Sequence, residues 1–347
     1  MEEEEESEEV IPFKYSITSY GADYPADGLV KRITANSVFI PPFQRAYVWN
    51  IAQASRFIES LLLGLPVPGI FLSREEETQK MLVIDGQQRL RTLKYFYDGV
   101  FADSGKEFAL RGVQEQFLGK TYRTLNEEDR RHLDDSIIHA TIVKQEQPSD
   151  DDSSIYFIFE RLNTGGTLLT SQEIRACIFH GELNDYLREI NRNQSWREIY
   201  GKIHPRMRDQ ELILRFLALY FYGDNYVKPL KGFLNTYMGK NRHLKLQTKE
   251  EIQKVFDPTV STIRKAIGVS AFRPQKTLNA AVFDAVMVGV ARRLETGEIL
   301  NHSILKERYD ALMNTGPFQF ASARATANTE SVKLRLELAI NAFADVP

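Results

Sequence analysis

Short apolar runs alternate with helical stripes along the first half of the chain, and the helical period takes over in the second. Phe13 to Ser19 alternates like a strand, Asp27 to Ile33 reads as a helix, and Ser37 to Ile40 reads as a strand stopped by Pro41-Pro42. Ile51 to Leu63 carries Ala54, Phe57, Ile58, Leu61 and Leu62 on one stripe, which predicts an amphipathic helix. Leu65-Pro66-Val67-Pro68 breaks it. Gly69 to Ser73 and Met81 to Ile84 read as the next two strands, joined by a polar turn over 75–80. Ile137 to Val143 is a further β-branched run, and the acidic stretch 148–154 leads into a helix over Ile155 to Leu162. From about Gly181 onward the pattern is helical. Glu211 to Tyr222 is apolar almost all round and predicts a buried core helix, and Ala280 to Leu294 and Ser331 to Phe343 repeat the period. The expected class is α+β, a small mixed sheet with helices followed by an α-helical region. The expected organisation is a tail over 1–12, a mixed domain over 13–180 and a helical domain over 181–347.

One junction carries the sharpest chemical signal. The apolar run Met81 to Ile84 stops at Asp85-Gly86, and a helical pattern starts at once, with Leu90, Leu93, Phe96 and Tyr97 on successive turns. Free backbone N–H groups and the positive end of a helix dipole therefore meet Asp85, Gln87, Gln88 and Arg89. That set suits a phosphate, a metal-bound phosphate or an attacking water. Asp85 as a simple N-cap with Arg89 as a surface charge is the alternative; capping accounts for the Asp but not for Gln-Gln-Arg.

Two further blocks share this character. In Phe43 to Asn50, Gln44 and Arg45 can donate to phosphates or base edges, and Tyr47 and Trp49 can stack a base. Equally, the aromatics can be core and Arg45 part of an internal ion pair. Phe159 to Leu168, followed by Gln172 to Arg175, places Glu160 and Asn163 one helical turn apart. The pair Gly165-Gly166 can end a helix or let backbone amides approach a ligand.

Composition narrows the classes. The chain has 347 residues, 43% of them hydrophobic, with 21 Phe and 15 Tyr, enough for a sizeable core. A single cysteine, Cys177, excludes an intrachain disulfide framework and a Cys-based zinc site. The six histidines lack metal-ligand spacing, and no Walker-type phosphate loop is present. No apolar run is long enough to span a bilayer and no signal-peptide core opens the chain, so a cytoplasmic protein is expected. The net charge of −3 hides an asymmetry: seven of the first nine residues are Glu, leaving the rest net positive. Such a block repels itself and is expected to be disordered, either a solubilising tail or a mimic competing with nucleic acid for a basic groove. Between Lys202 and Lys245, nine Lys/Arg face three acids, with Tyr222, Tyr226, Phe233 and Tyr237 interleaved. This predicts either a nucleic-acid surface, with Lys240, Arg242 and Lys245 as DNA contacts, or core aromatics with a solvated basic rim.

The three blocks, in this order and spacing, resemble the N-terminal domain family of GmrSD-type modification-dependent restriction enzymes, within the wider ParB/sulfiredoxin-like group. The likeness runs from about Tyr15 to the chain's end. It implies a ParB/sulfiredoxin-like nucleotide-binding domain that holds a nucleoside triphosphate with Mg²⁺ and hydrolyses it, as a sensor or regulator in DNA restriction or anti-phage defence. Asp85 and Glu160 would hold the metal. Gln87 or Gln88 would orient water, and Arg89 would stabilise phosphoryl charge. Gln44, Arg45, Gly86, Thr92, Glu160, Arg161, Asn163, Thr164, Gly165 and Gly166 would line the nucleotide pocket. ParB-like proteins carry Glu-Asn-x-x-Arg at the corresponding place; Glu160-Arg161-Leu162-Asn163 holds the same residue types rearranged, which weakens the carry-over for each residue singly. Relatives often carry an HNH nuclease in the same chain or as a separate subunit. None is recognisable here, so a separate nuclease partner is expected, with DNA, modified or not, as the other. The alternatives are a DNA-binding adaptor with a non-catalytic pocket and a nuclease acting from the ParB-like fold itself.

Overall fold

The chain enters a sheet as β1 (Ser16–Pro25), passes through α1 (Ala26–Thr34) and returns as the short β2 (Val38–Phe39). α2 (Ile51–Leu62), β3 (Ile70–Arg74), β4 (Met81–Asp85) and α3 (Gln87–Asp98) follow. A small hairpin, β5 (Val100–Phe101) with β6 (Lys106–Glu107), precedes α4 (Glu127–Asp135), β7 (Ile137–Gln147) and α5 (Ser153–Leu162). This computed structural model describes residues 16–40, 47–75, 78–147, 153–162, 169–323 and 326–347.

The five-stranded sheet has the order β1-β7-β3-β4-β2 and is mixed. β7 and β3 run parallel, as do β4 and β2, whereas β1 with β7 and β3 with β4 are antiparallel. One face packs on α1 to α4 through a core that includes Leu29, Ala54, Ile58, Leu61, Ile70, Leu72, Val83, Leu90, Phe96 and Ile142. Leu82, Ile84 and Val143 are buried outside that core, as are Tyr156 and Phe159 of α5, which lies against β4 and β7. Burial on both faces is the reason Leu82-Val83-Ile84 is a continuous apolar run rather than an alternating one.

The α2 stripe is buried at all five expected positions. Its first turn closes with a reciprocal capping box, in which the Asn50 side chain accepts from the Gln53 amide and the Gln53 side chain accepts from the Asn50 amide. The expected strand at 13–19 is displaced. β1 runs to Pro25 because its residues pair with β7 as far as Ile137, and residues 13–15 lie outside the described ones, as do 1–12.

The chain divides into two compact units, Lys14–Leu169 and Thr170–Pro347. The second is helical: α6 (Ser171–Ile178), α7 (Glu182–Ile190), α8 (Gln194–Tyr200), α9 (Arg208–Tyr222), α10 (Leu230–Lys240), α11 (Lys249–Ala266), α12 (Ala280–Leu294), α13 (His302–Met313), α14 (Gly316–Ala323) and α15 (Thr329–Phe343). α6, expected within the first domain, packs instead on α9 and α10 of this unit. α12 is its axis, buried continuously from Ala281 to Ala291 and packed against α9, α11 and α15. Gly289 permits the closest approach, since a Cβ there would lie 2.9 Å from the Ala339 backbone of α15.

A buried carboxylate ties these helices together. Asp284 of α12 accepts from Arg215 Nε and Nη2 of α9 at 3.0 and 2.6 Å, and from Arg335 Nη2 of α15 at 3.0 Å. Asp284 and Arg335 are both fully buried. Asp284→Ala should cost about 3–5 kcal/mol, the usual penalty for stranding buried charge, and here it strands two guanidinium groups. Urea unfolding followed by circular dichroism measures it, with a smaller loss expected at the exposed Asp310.

Candidate functional site at the β4–α3 junction

The strand-to-helix junction forms as the sequence pattern requires, but Asp85 is not its N-cap. β4 ends at Asp85, and α3 starts from Gly86, whose left-handed backbone (φ 97°, ψ 10°) turns the chain with no side-chain cap. The first turn of α3 therefore keeps its N–H groups clear of any capping side chain, which is the arrangement that favours an anion. Glycine is required here twice over. The positive φ disfavours other residues, and a Cβ would lie 2.4 Å from Ile70 Cγ2 on β3. Beside it, the β3–β4 pairing slips between Phe71 and Leu72, opposite Asp85.

Asp85 is half exposed, and its Oδ2 accepts from Arg89 Nη2 at 2.8 Å. Arg89 is mostly buried, and its Nε has no hydrogen-bond partner among the described residues. The same holds for Gln87 Oε1. A buried donor and a buried acceptor thus stand unsatisfied within one helical turn, beside a half-exposed carboxylate. Buried polar atoms are paired in the great majority of cases; these two are exceptions, as are Nε of Arg91, Arg130, Arg197 and Arg335 elsewhere, and here they lie together at a helix N-terminus with no side-chain cap.

The two glutamines differ. Gln88 Oε1 accepts from the backbone amides of Val48 and Trp49 at 3.0 and 3.4 Å. The Gln88 carbonyl accepts from the Thr92 hydroxyl at 2.7 Å. With that proton committed, Tyr47 donates its hydroxyl to Thr92 Oγ1 at 2.8 Å, and burial pushes the Tyr47 phenol up, keeping it a donor. Thr92, expected to line a nucleotide pocket, is fully buried and serves this internal chain of bonds. Tyr47 packs edge-on against Tyr95 and Phe101, and Trp49 packs against Phe57, so these rings meet their own chain rather than standing as open stacking platforms. No sequence pattern announced the Tyr47–Thr92–Gln88 link; only the four-residue spacing of Gln88 and Thr92 hinted at part of it.

α5 packs on β4 and β7, which brings the helix carrying Glu160 against the strand carrying Asp85. Glu160 is partly buried and Arg161 exposed. Gln44, Arg45, Asn163, Thr164, Gly165 and Gly166 lie outside the described residues. Among the described residues no three His, Cys, Asp or Glu side chains come together as a metal site. Mg²⁺ held beside a nucleotide needs only one or two protein carboxylates, the phosphates and waters completing its shell. Asp85 and Glu160 suit that requirement in number and type.

Residues 27–180 match the family described as the GmrSD restriction endonuclease, N-terminal domain. The likeness covers less than half of the chain. The match takes in the β4–α3 junction and Glu160 to Gly166, and it stops short of Lys240 to Lys245. No curated protein matches the chain. No helix among the described residues is long and apolar enough to cross a membrane.

The basic stretch beyond the matched segment divides into used and exposed charges. Tyr226, Phe233 and Tyr237 are core. Arg206 pairs with Glu173, and Arg215 is committed to Asp284. Arg242, an expected DNA contact, instead donates from Nε to the His180 carbonyl at 2.5 Å and is half-buried. Lys240 is exposed, 3.2 Å from the Tyr222 hydroxyl and above its ring, and Lys245 is exposed.

Gly86→Ala should be among the most disruptive changes in this unit. It demands a left-handed backbone from alanine, which costs about 1–3 kcal/mol, and pushes a methyl into Ile70. Thermal unfolding should show a clear loss of stability, and Gly86→Ala should cost less in an Ile70→Ala chain than in the wild type.

Proposed function

We propose that the β4–α3 junction binds the phosphates of a nucleoside triphosphate with Mg²⁺ and hydrolyses it, and that the protein is a sensor or regulator in a DNA restriction or anti-phage defence system. The observation that carries this reading is that Gln87 Oε1 and Arg89 Nε are buried without a hydrogen-bond partner among the described residues, beside a helix N-terminus with no side-chain cap. The family of the segment, named for a restriction endonuclease, supports the cellular setting. A ParB/sulfiredoxin-like ancestry for the small mixed sheet belongs to the same proposal.

The residues divide the work by their chemistry. The open N–H groups of the first turn of α3 and the Arg89 guanidinium bind phosphoryl oxygens and stabilise charge as it builds on them. Gln87 Oε1 accepts a hydrogen bond from the attacking water and aims it. Asp85 and Glu160 would hold Mg²⁺, which when bound supplies neutralisation of phosphate charge. The Asp85–Arg89 ion pair keeps both side chains in place before ligand arrives.

Arg89→Ala should weaken triphosphate binding by about 10- to 150-fold, since one charged donor to a buried phosphate is worth roughly 1.5–3 kcal/mol. Titration with labelled ATP and GTP reads this directly, and normal binding would remove the site from the junction. Gln87→Ala should slow hydrolysis far more than it weakens binding, because a water-orienting group acts mainly in the transition state. Binding without turnover in the wild type would favour the DNA-binding adaptor. Nicking of plasmid by the protein alone would favour a nuclease acting from this fold.

The exposure of Lys240 and Lys245 supports a contact between the helical unit and DNA backbone. Replacing both by Glu should flatten the log–log salt dependence of DNA binding by about two units, at roughly 0.9 per phosphate. Nucleotide hydrolysis in the absence of DNA should not change. Salt-insensitive binding, or none across plain and modified duplexes, would point to a protein partner on this face.

A further inference from the structure

We infer that Gln88 is a positioning residue: its carboxamide anchors the strap Tyr47–Asn50 to the first turn of α3 and so fixes the angle at which Gln87 meets the attacking water. The inference rests on the triphosphate reading above and assigns the two adjacent glutamines different tasks.

A helix N-terminus that must stay open to an anion cannot be closed by a capping side chain. α2, α6 and α11 all start with reciprocal capping boxes, whereas α3 starts from Gly86 with no side-chain cap. Its first turn is therefore held in other ways. On the sheet side, Ile70 packs against Gly86. On the other, Gln88 Oε1 accepts from the Val48 and Trp49 amides, and the Gln88 carbonyl is joined through Thr92 Oγ1 to the Tyr47 hydroxyl. The strap is itself fixed at its far end, where Asn50 caps α2 and Trp49 rests on Phe57. Gln88 thus links the starts of two helices with one side chain. Gln87 and Arg89, its neighbours in sequence, keep an unsatisfied oxygen and nitrogen among the described residues. Consecutive positions on a helix point about 100° apart, so one side chain can serve the strap while the flanking ones face a different surrounding.

The consequence is a coupling. A ligand that bonds to the first turn of α3 stiffens the turn that Gln88 shares with the strap, and loss of the strap contact loosens the turn that carries Gln87. A misplacement of about 1 Å in a catalytic group can cost about 100-fold in rate.

Three proteins test this: the wild type, Gln88→Met, which keeps the shape but loses the acceptor, and Gln88→Glu, which keeps an acceptor oxygen. Amide hydrogen exchange over 47–50 is read with and without Mg·ATP and Mg·GTP, alongside kcat and KM. In the wild type, nucleotide should slow exchange over 47–50. Gln88→Met should lose that slowing and drop kcat by about 100-fold with KM little changed. Gln88→Glu should restore both the slowing and kcat. Wild-type turnover in Gln88→Met, or a Gln88→Glu as impaired as Gln88→Met, would overturn the assignment while leaving the triphosphate reading intact. If Gln88→Met does not fold, Gln88→Glu decides alone, since an acceptor role requires it to be active. If the wild type itself binds neither nucleotide, the triphosphate reading fails, and this inference falls with it.

Discussion

The geometry of the candidate site hangs on one close approach: the Ile70 methyl on β3 occupies the volume that any side chain at position 86 would fill. That contact forces glycine, and glycine permits the left-handed turn that sends the chain from β4 straight into α3. Because glycine has no side chain, the helix it starts is uncapped, and its amides remain available. Four consequences thus share a cause: an abrupt turn, an open helix N-terminus, Asp85 at the strand end and Arg89 folded back to it at 2.8 Å. The turn is rigid on its sheet side, where β4 is buried on both faces. That packing supports the turn while Gln87 Oε1 and Arg89 Nε have no partner among the described residues.

Charge is handled differently in the two units. At the junction the Asp85–Arg89 pair is half open to solvent, so a ligand can compete for either partner at modest cost. In the helical unit three charge clusters are largely sealed. Asp284 serves Arg215 and Arg335, Asp209 serves Arg197 and Asn191, and Arg175 is bound by Gln172, Asn235 and Glu211. Removing a single partner from such a cluster leaves a desolvated ion, so these groups specify how the helices pack and cannot double as ligand contacts. Of the basic residues in 202–245, Arg215 is committed to such a cluster, whereas Lys202, Lys228, Lys240 and Lys245 are exposed.

Much of the fold was legible because its elements bury faces of regular period. The α2 stripe, the apolar run of β4 and the almost all-round apolar α9 each announce their burial. Residues 99–135 were not legible in this way, since the β5–β6 hairpin is only two residues long on each side and α4 has a single buried residue, Leu133. The basic and aromatic run showed the limit of composition. Tyr237 and Phe233 are spaced for a helix face that is core, and Arg242 is consumed by the His180 carbonyl, which is 62 positions away in sequence.

By itself, the sequence determined the α+β class, the strand-to-helix junction at Asp85-Gly86 and the chemical types gathered there, because local periodicity and turn chemistry act over a few residues. It could not decide between Gln87 and Gln88. The strap at 47–50, some forty residues earlier in the chain, sets the two apart, since its amides bond to the Gln88 side chain. Nor could it decide that Thr92 is an internal link rather than a ligand contact, or that Gly86 rather than Asp85 starts the helix. Those outcomes depend on which side chains fill the space around a residue, and only the packed tertiary structure fixes that.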